Sequence, residues 1–160
     1  MPKQEKTEQK TIKFIGRVPK WLRDFATKVH TLLSLDDFSL EVRYSEIRSI
    51  NRTLKAHGYA GLESGDAAAA IVDTTYLFAI LLFVKPMKRC LRAFEIILHE
   101  FLHVYLKAKI FSRLNHEFLD HYLDAEYKAA SYDALLNIEE RAAEHLVRFA
   151  GRLGLFAGVA

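Results

Sequence analysis

Behind Pro19, the apolar residues Trp21, Leu22, Phe25, Val29, Leu32 and Leu33 recur at helical spacing, which predicts a first helix. Pro19 suits the start of that helix, where a missing N–H costs nothing. Residues 38–44 then alternate apolar and polar with period two and predict a half-buried strand. Ile47, Ile50 and Leu54 return to helical spacing, and Gly58 marks where this second helix stops. Residues 59–66 read as a loop. Two further strands follow, 67–73 and 76–84, separated by Thr74 and Thr75. The second is almost wholly apolar (YLFAILLFV), the pattern of a strand covered on both faces. From Lys85 and Pro86 onward the pattern is helical to the end of the chain, with a break around 111–115.

This order of elements predicts an α+β fold: a short mixed sheet of about three or four strands, with helices at the N- and C-terminal ends. Residues 1–10 are polar and predict a flexible tail, and no Gly/Ser linker divides 11–160, which predicts a single domain. Composition narrows the class. A chain of 160 residues, 51% hydrophobic and 27% charged, is large enough for its own core and too apolar to be disordered. Its formal charge of +3 is too small to indicate nucleic acid by itself. The longest apolar run, 76–84, is about half of a membrane span, so no membrane partner is expected. The charged N-terminus has no apolar segment behind it, which argues against an export signal and for a cytoplasmic protein. The single cysteine, Cys90, fits that compartment and excludes any multi-Cys zinc site. A bound metal would need His, Glu or Asp, and the chain carries seven His.

Two of them form a motif. His99-Glu100-Phe101-Leu102-His103 is an H-E-x-x-H sequence in an apolar helical stretch, 90–106, without Gly or Pro, in which His99, Glu100 and His103 are the only polar residues after Glu95. On a helix His99 and His103 lie one turn apart on one face, so two imidazoles can hold one zinc ion. Glu100 sits about 100° round the helix, placed to reach a metal-bound water and take its proton. A scrambled chain of this composition gives on the order of 0.02 such matches. Burying two His and a Glu in this stretch without partners would cost several kcal/mol, and a shared metal accounts for all three. The competing account is a pair of core histidines satisfied by hydrogen bonds to carboxylates or backbone.

A catalytic zinc needs a third protein ligand. The metzincin continuation would place Gly and His where Leu106 and Lys109 stand, so the third ligand must come from elsewhere. The best source is a late helix carrying Glu139, Glu140 and Glu144. Ile138, Ala142, Leu146, Phe149, Ala150 and Leu153 define an apolar stripe on it, with Glu139 near the centre and Glu140 at the edge. A charge in the middle of an apolar face needs a partner, which favours Glu139. The E-x-x-A-E pattern favours Glu140. Both remain candidates.

His99-Glu100-x-x-His103 followed 36 or 37 residues later by a helical Glu resembles the gluzincin metallopeptidases, and particularly their small, single-domain, minigluzincin-like members. The resemblance covers roughly residues 67–150. It implies a zincin-like domain whose sheet packs on the H-E-x-x-H helix, and a zinc-dependent hydrolysis of peptide bonds with Glu100 as general base. It also implies a peptide or protein substrate lying along an edge strand before the helix, either 76–84 or its partner. In this family a carboxylate four residues after the ligand Glu supports a zinc-bound His; Glu144 would do so for Glu140. A downstream His or Tyr stabilises the oxyanion there, and His116, His121, Tyr122, Tyr127 and Tyr132 are all available.

Other readings compete. HEFLHVYLKA (99–108) and HEFLDHYLDA (116–125) share seven of ten positions, so His116 with Asp120, or His121 with Asp124, offers a rival metal set. Solvated surface histidines are the ordinary reading of that polar stretch. His30 and His57 lie near helix ends and read as solvated, and His145 has the wrong phase to join Glu139. Lys85, Lys88, Arg89, Arg92, Lys107, Lys109 and Arg113 read as a solvated basic surface, since no aromatic–basic motif accompanies them. Two alternatives to a free-standing peptidase follow. One is a catalytically silent, metal-binding regulatory or interaction protein of the same fold. The other is a nucleic-acid-associated protease.

Overall fold

A computed structural model describes residues 11–111 and 125–158; the side chains of 110, 111, 125–132 and 135 lie outside that description. The elements are β1 (Lys13–Ile15), α1 (Lys20–Leu32), β2 (Ser39–Ser45), α2 (Ile47–Ala56), β3 (Ala68–Asp73) and β4 (Phe78–Val84), then α3 (Leu91–Leu106), a π-helical turn (Lys107–Phe111) and α4 (Ala125–Arg152). The class is α+β, as the pattern predicts. β1 is the addition: three residues are too few to carry a periodicity. The tail at 1–10 and the break at 112–115 lie outside the described residues.

The strands form one mixed sheet in the order β1-β2-β4-β3. β1, β2 and β4 run parallel, and β3 is antiparallel to β4. β4 is central, which explains its composition. Ala79, Leu81 and Phe83 join the main core with α1 and α3, while Ile80 and Leu82 meet Ile50 and Leu54 of α2 on the opposite face. The edges of the sheet are therefore β1 and β3; of the two strands just before α3 it is β3, the partner of β4, that lies at an edge, and the alternative placement of 76–84 there is corrected. A strand whose two faces are both apolar belongs inside a sheet, with neighbours on both sides.

Local chemistry sets the joints. Gly58 takes φ +79° just past α2, and its N–H donates to the Lys55 carbonyl, a left-handed helix end that favours glycine. The loop leading to β3 is tied to α2 by Asn51, whose Nδ2 donates to the Leu62 carbonyl (3.1 Å) while its Oδ1 accepts from the Leu62 N–H (2.6 Å). The β3–β4 turn is closed by Asp73 Oδ1, which accepts from the N–H groups of Thr75 and Tyr76.

α3 lies at the centre of the helical layer and is buried on several sides, through Phe94, Ile97, Leu98, Phe101, Leu102 and Val104. Phe94 meets Phe25 of α1 edge-to-face, with ring centroids 4.6 Å apart, and Trp21 at 5.4 Å. These contacts fix one flank of α3. α4 packs on another flank through Ala143 and Val147. The apolar stripe expected on α4 forms only part of that contact: Ala142 and Ala150 pack against the core, Ile138, Leu146, Phe149 and Leu153 are exposed, and the fully buried face is Glu139, Ala143 and Val147. Small residues let the two helices approach closely, and the bulkier stripe faces away. His30 is a second correction. It is buried in α1, and its Nε2 has no hydrogen-bond partner, whereas His57 is exposed as expected. Among the described residues no helix is long and apolar enough to cross a membrane.

Candidate metal centre

α3 presents His99, Glu100 and His103, and α4 brings Glu139 and Glu140 to them. The sheet side is formed by β3, whose Ala68 and Ala70 pack toward the main core beneath α3. Alanines there leave room beside the imidazoles that larger side chains would fill.

The two glutamates do different things, which resolves the choice the sequence leaves open. Glu140 reaches both imidazoles: its Oε1 lies 3.0 Å from His99 Nε2 and its Oε2 lies 3.1 Å from His103 Nε2. The two Nε2 atoms are themselves 3.1 Å apart. Glu139 is 3% exposed and takes the other side of His103, accepting from Nδ1–H at 2.6 Å. In the neutral ring that bond puts the proton on Nδ1 and leaves the Nε2 lone pair pointing toward Glu140 and His99. Of the two glutamates, Glu140 belongs to the cluster of possible donor atoms with His99 and His103, and Glu139 lies behind it as the hydrogen-bond partner of His103. Its place on the buried face was read correctly, but the group it meets is an imidazole N–H.

His99, His103 and Glu140 form a compact set of donor atoms, all within 4.8 Å of one another. Tetrahedral zinc with bonds of 2.0–2.1 Å needs donors about 3.3 Å apart, close to the separations here. The two Nε2 atoms at 3.1 Å can share one proton, with His99 as donor, or both can turn lone pairs to a cation that the Glu140 carboxylate also reaches. The donor set therefore fits a divalent zinc-like ion. It supplies three protein ligands and leaves a fourth position open.

The electrostatics follow from burial. Burial raises the Glu100 carboxyl to about 7, helped by the nearby Glu140 charge and opposed by His103. Burial also lowers His99, a change that Glu140 and Glu144 partly offset. For His103 burial pulls downward as well, but the hydrogen bond to Glu139 and the charges of Glu100, Glu139 and Glu140 outweigh it, so the ring is raised. Glu144, exposed one turn beyond Glu140, acts on His99 through its charge.

Two cavities flank these residues along β3. One, of about 800 Å³, is lined by Ala67, Ile96, Glu144 and Arg148. The other, of about 390 Å³, is lined by Tyr59, Ala70, His103 and Lys107. His99, Glu100 and Glu140 line both, so the donor cluster sits where the two meet. The rival set around His116, Asp120, His121 and Asp124 lies outside the described residues, as do the side chains of Tyr122, Tyr127 and Tyr132. Sequence reasoning missed Lys107, whose Nζ lies 3.2 Å from Glu139 Oε2. Its signal was available: Lys107 stands four residues after His103, on the same helical face. No protein-family model, curated protein or solved structure matches the chain.

Proposed function

We propose that the chain is a zinc-dependent metallopeptidase of gluzincin type. The observation that carries this reading is the convergence of His99 Nε2, His103 Nε2 and both oxygens of Glu140, beside a buried Glu100 and under an edge strand. His99, His103 and Glu140 would hold the metal. Bound there, zinc would supply an acidified water and a Lewis acid for a peptide carbonyl.

The remaining steps belong to the protein. Glu100 takes the proton from the attacking water and delivers it to the leaving amine. A carboxyl raised to about 7 by burial is poised for both transfers near neutral pH. Glu139 holds His103 in one tautomer and one orientation, and Glu144 places negative charge beside His99. β3 offers a free strand edge above the site, where an extended peptide can add as a further strand with its side chains in the two flanking cavities. The proposal extends to a cytoplasmic location, supported by the single free, exposed thiol of Cys90.

Metal analysis of the purified protein and assay against a fluorogenic peptide library test this together. The parent and Glu100→Gln should each carry one zinc per chain, and His99→Ala none. Glu100→Gln should lower kcat by on the order of 10²–10⁴-fold, the usual contribution of general acid–base catalysis. A parent without zinc, or a Glu100→Gln variant with full hydrolysis, overturns the proposal. Zinc without hydrolysis in the parent identifies a silent metal-binding protein instead.

A further inference from the structure

We infer that Lys107 is a positioning residue of the metal centre, acting on His103 through Glu139; this rests on the metal site proposed above and not on turnover. The Glu139 carboxylate is divided between two donors. Oε1 accepts from His103 Nδ1–H at 2.6 Å and Oε2 faces Lys107 Nζ at 3.2 Å. Only 5% of the Glu139 side chain and 25% of the Lys107 side chain is exposed, so water competes weakly for either bond.

The geometry explains why a second donor matters. A carboxylate held by one hydrogen bond can still turn about its Cγ–Cδ bond, and the imidazole it holds turns with it. A second charged donor on the other oxygen fixes the plane of the carboxylate and, through it, the ring of His103. Both donors come from one run of backbone, since Lys107 follows His103 by one helical turn, where α3 passes into the π-helical turn. The lysine therefore reads the relative position of α3 and α4 at the level of Glu139. Its ammonium also offsets the negative charge that Glu139 brings into a packed interface, where an unpaired carboxylate is costly. The H-E-x-x-H motif alone does not specify the continuous chain Lys107–Glu139–His103.

The test is zinc affinity of the metal-free, full-length protein, measured by competition with a chromogenic chelator alongside its thermal midpoint. Lys107→Met should bind zinc about 10-fold more weakly, at the low end of what loss of an outer-shell partner costs, and Lys107→Arg should restore most of the affinity. In a Glu139→Ala background Lys107→Met should have no further effect on affinity, because the path through Glu139 is already cut. Lys107→Gln serves the same comparison where the Met variant fails to fold. Zinc affinity equal to that of the parent, with or without a lowered midpoint, overturns the positioning role while leaving the metal centre standing. Failure of the parent to take up zinc overturns both.

Discussion

At the scale of single residues the site places its functional groups at a cost to stability. Glu100 is the clearest case. Its ordinary value is 4.5 and burial raises it to about 7, so between those values the folded, metal-free protein holds a proton that the unfolded chain has released. Stability must then fall as pH rises through that window and stay low above it. At about 1.4 kcal/mol per pH unit the full loss is on the order of 3–4 kcal/mol. Glu100→Gln removes this dependence. Urea unfolding of the metal-free proteins should show equal stability near pH 4.5 and a more stable Glu100→Gln variant at pH 8. Equal stability of the two at pH 8 would show that Glu100 is not buried as described. His103, also raised, contributes in the same direction, and His99, lowered, contributes in the opposite one. The Glu100 charge is itself one of the causes that raise His103, so the difference between parent and variant reports Glu100 together with its coupling to His103. His30 bears a different cost, the desolvation of a buried Nε2 without a hydrogen-bond partner. Nothing in the structure explains its retention.

At the scale of elements, the periodicity of α4 identified a helix and one buried charge but set the inward face off by part of a turn, with only Ala142 and Ala150 of the stripe on the core. Hydrophobic spacing gives an apolar stripe, and the stripe through Ile138, Leu146, Phe149 and Leu153 is exposed among the described residues. The helix instead turns Glu139, Ala143 and Val147 inward, because only small side chains let Glu140 come within 3.1 Å of the two imidazoles. The consequence is measurable. Val147→Ala should cost about 1–3 kcal/mol, as removal of buried methyl groups does. Leu153→Ala should change stability by less than about 0.5 kcal/mol, as exposed positions do. The reverse order in thermal denaturation would restore the sequence-based face. The strands behaved differently. For β2 and β4 the pattern and the observed elements agree within about two residues, because alternation and continuous apolarity each correspond to one kind of burial.

At the scale of the whole molecule, the proposed metal ties together two helices that lie far apart in sequence. His99 and His103 come from α3, and Glu140 comes from α4 beyond the π-helical turn. Zinc held by this set would bind the folded arrangement and not the separated helices, so it should stabilise the fold by mass action, by about 2.7 kcal/mol when free zinc is 100-fold above Kd. Zinc should therefore raise the thermal midpoint of the parent and a chelator should reverse the rise, while His99→Ala should respond to neither. A midpoint in the parent that ignores zinc would detach the metal from the fold.

The H-E-x-x-H spacing on a helix without Gly or Pro, the α+β order of elements and the burial of β4 on both faces could all be read from the chain. Each is a local consequence of periodicity or of residue spacing on one element. The division of labour between Glu139 and Glu140, the burial of His30, the edge position of β3 and the link from Lys107 to His103 could not. Adjacent residues on a helix differ by about 100° in direction, and which direction meets a partner depends on the rotation of α4 against α3. That rotation is set by close packing between elements far apart in the chain, and only the tertiary structure decides it.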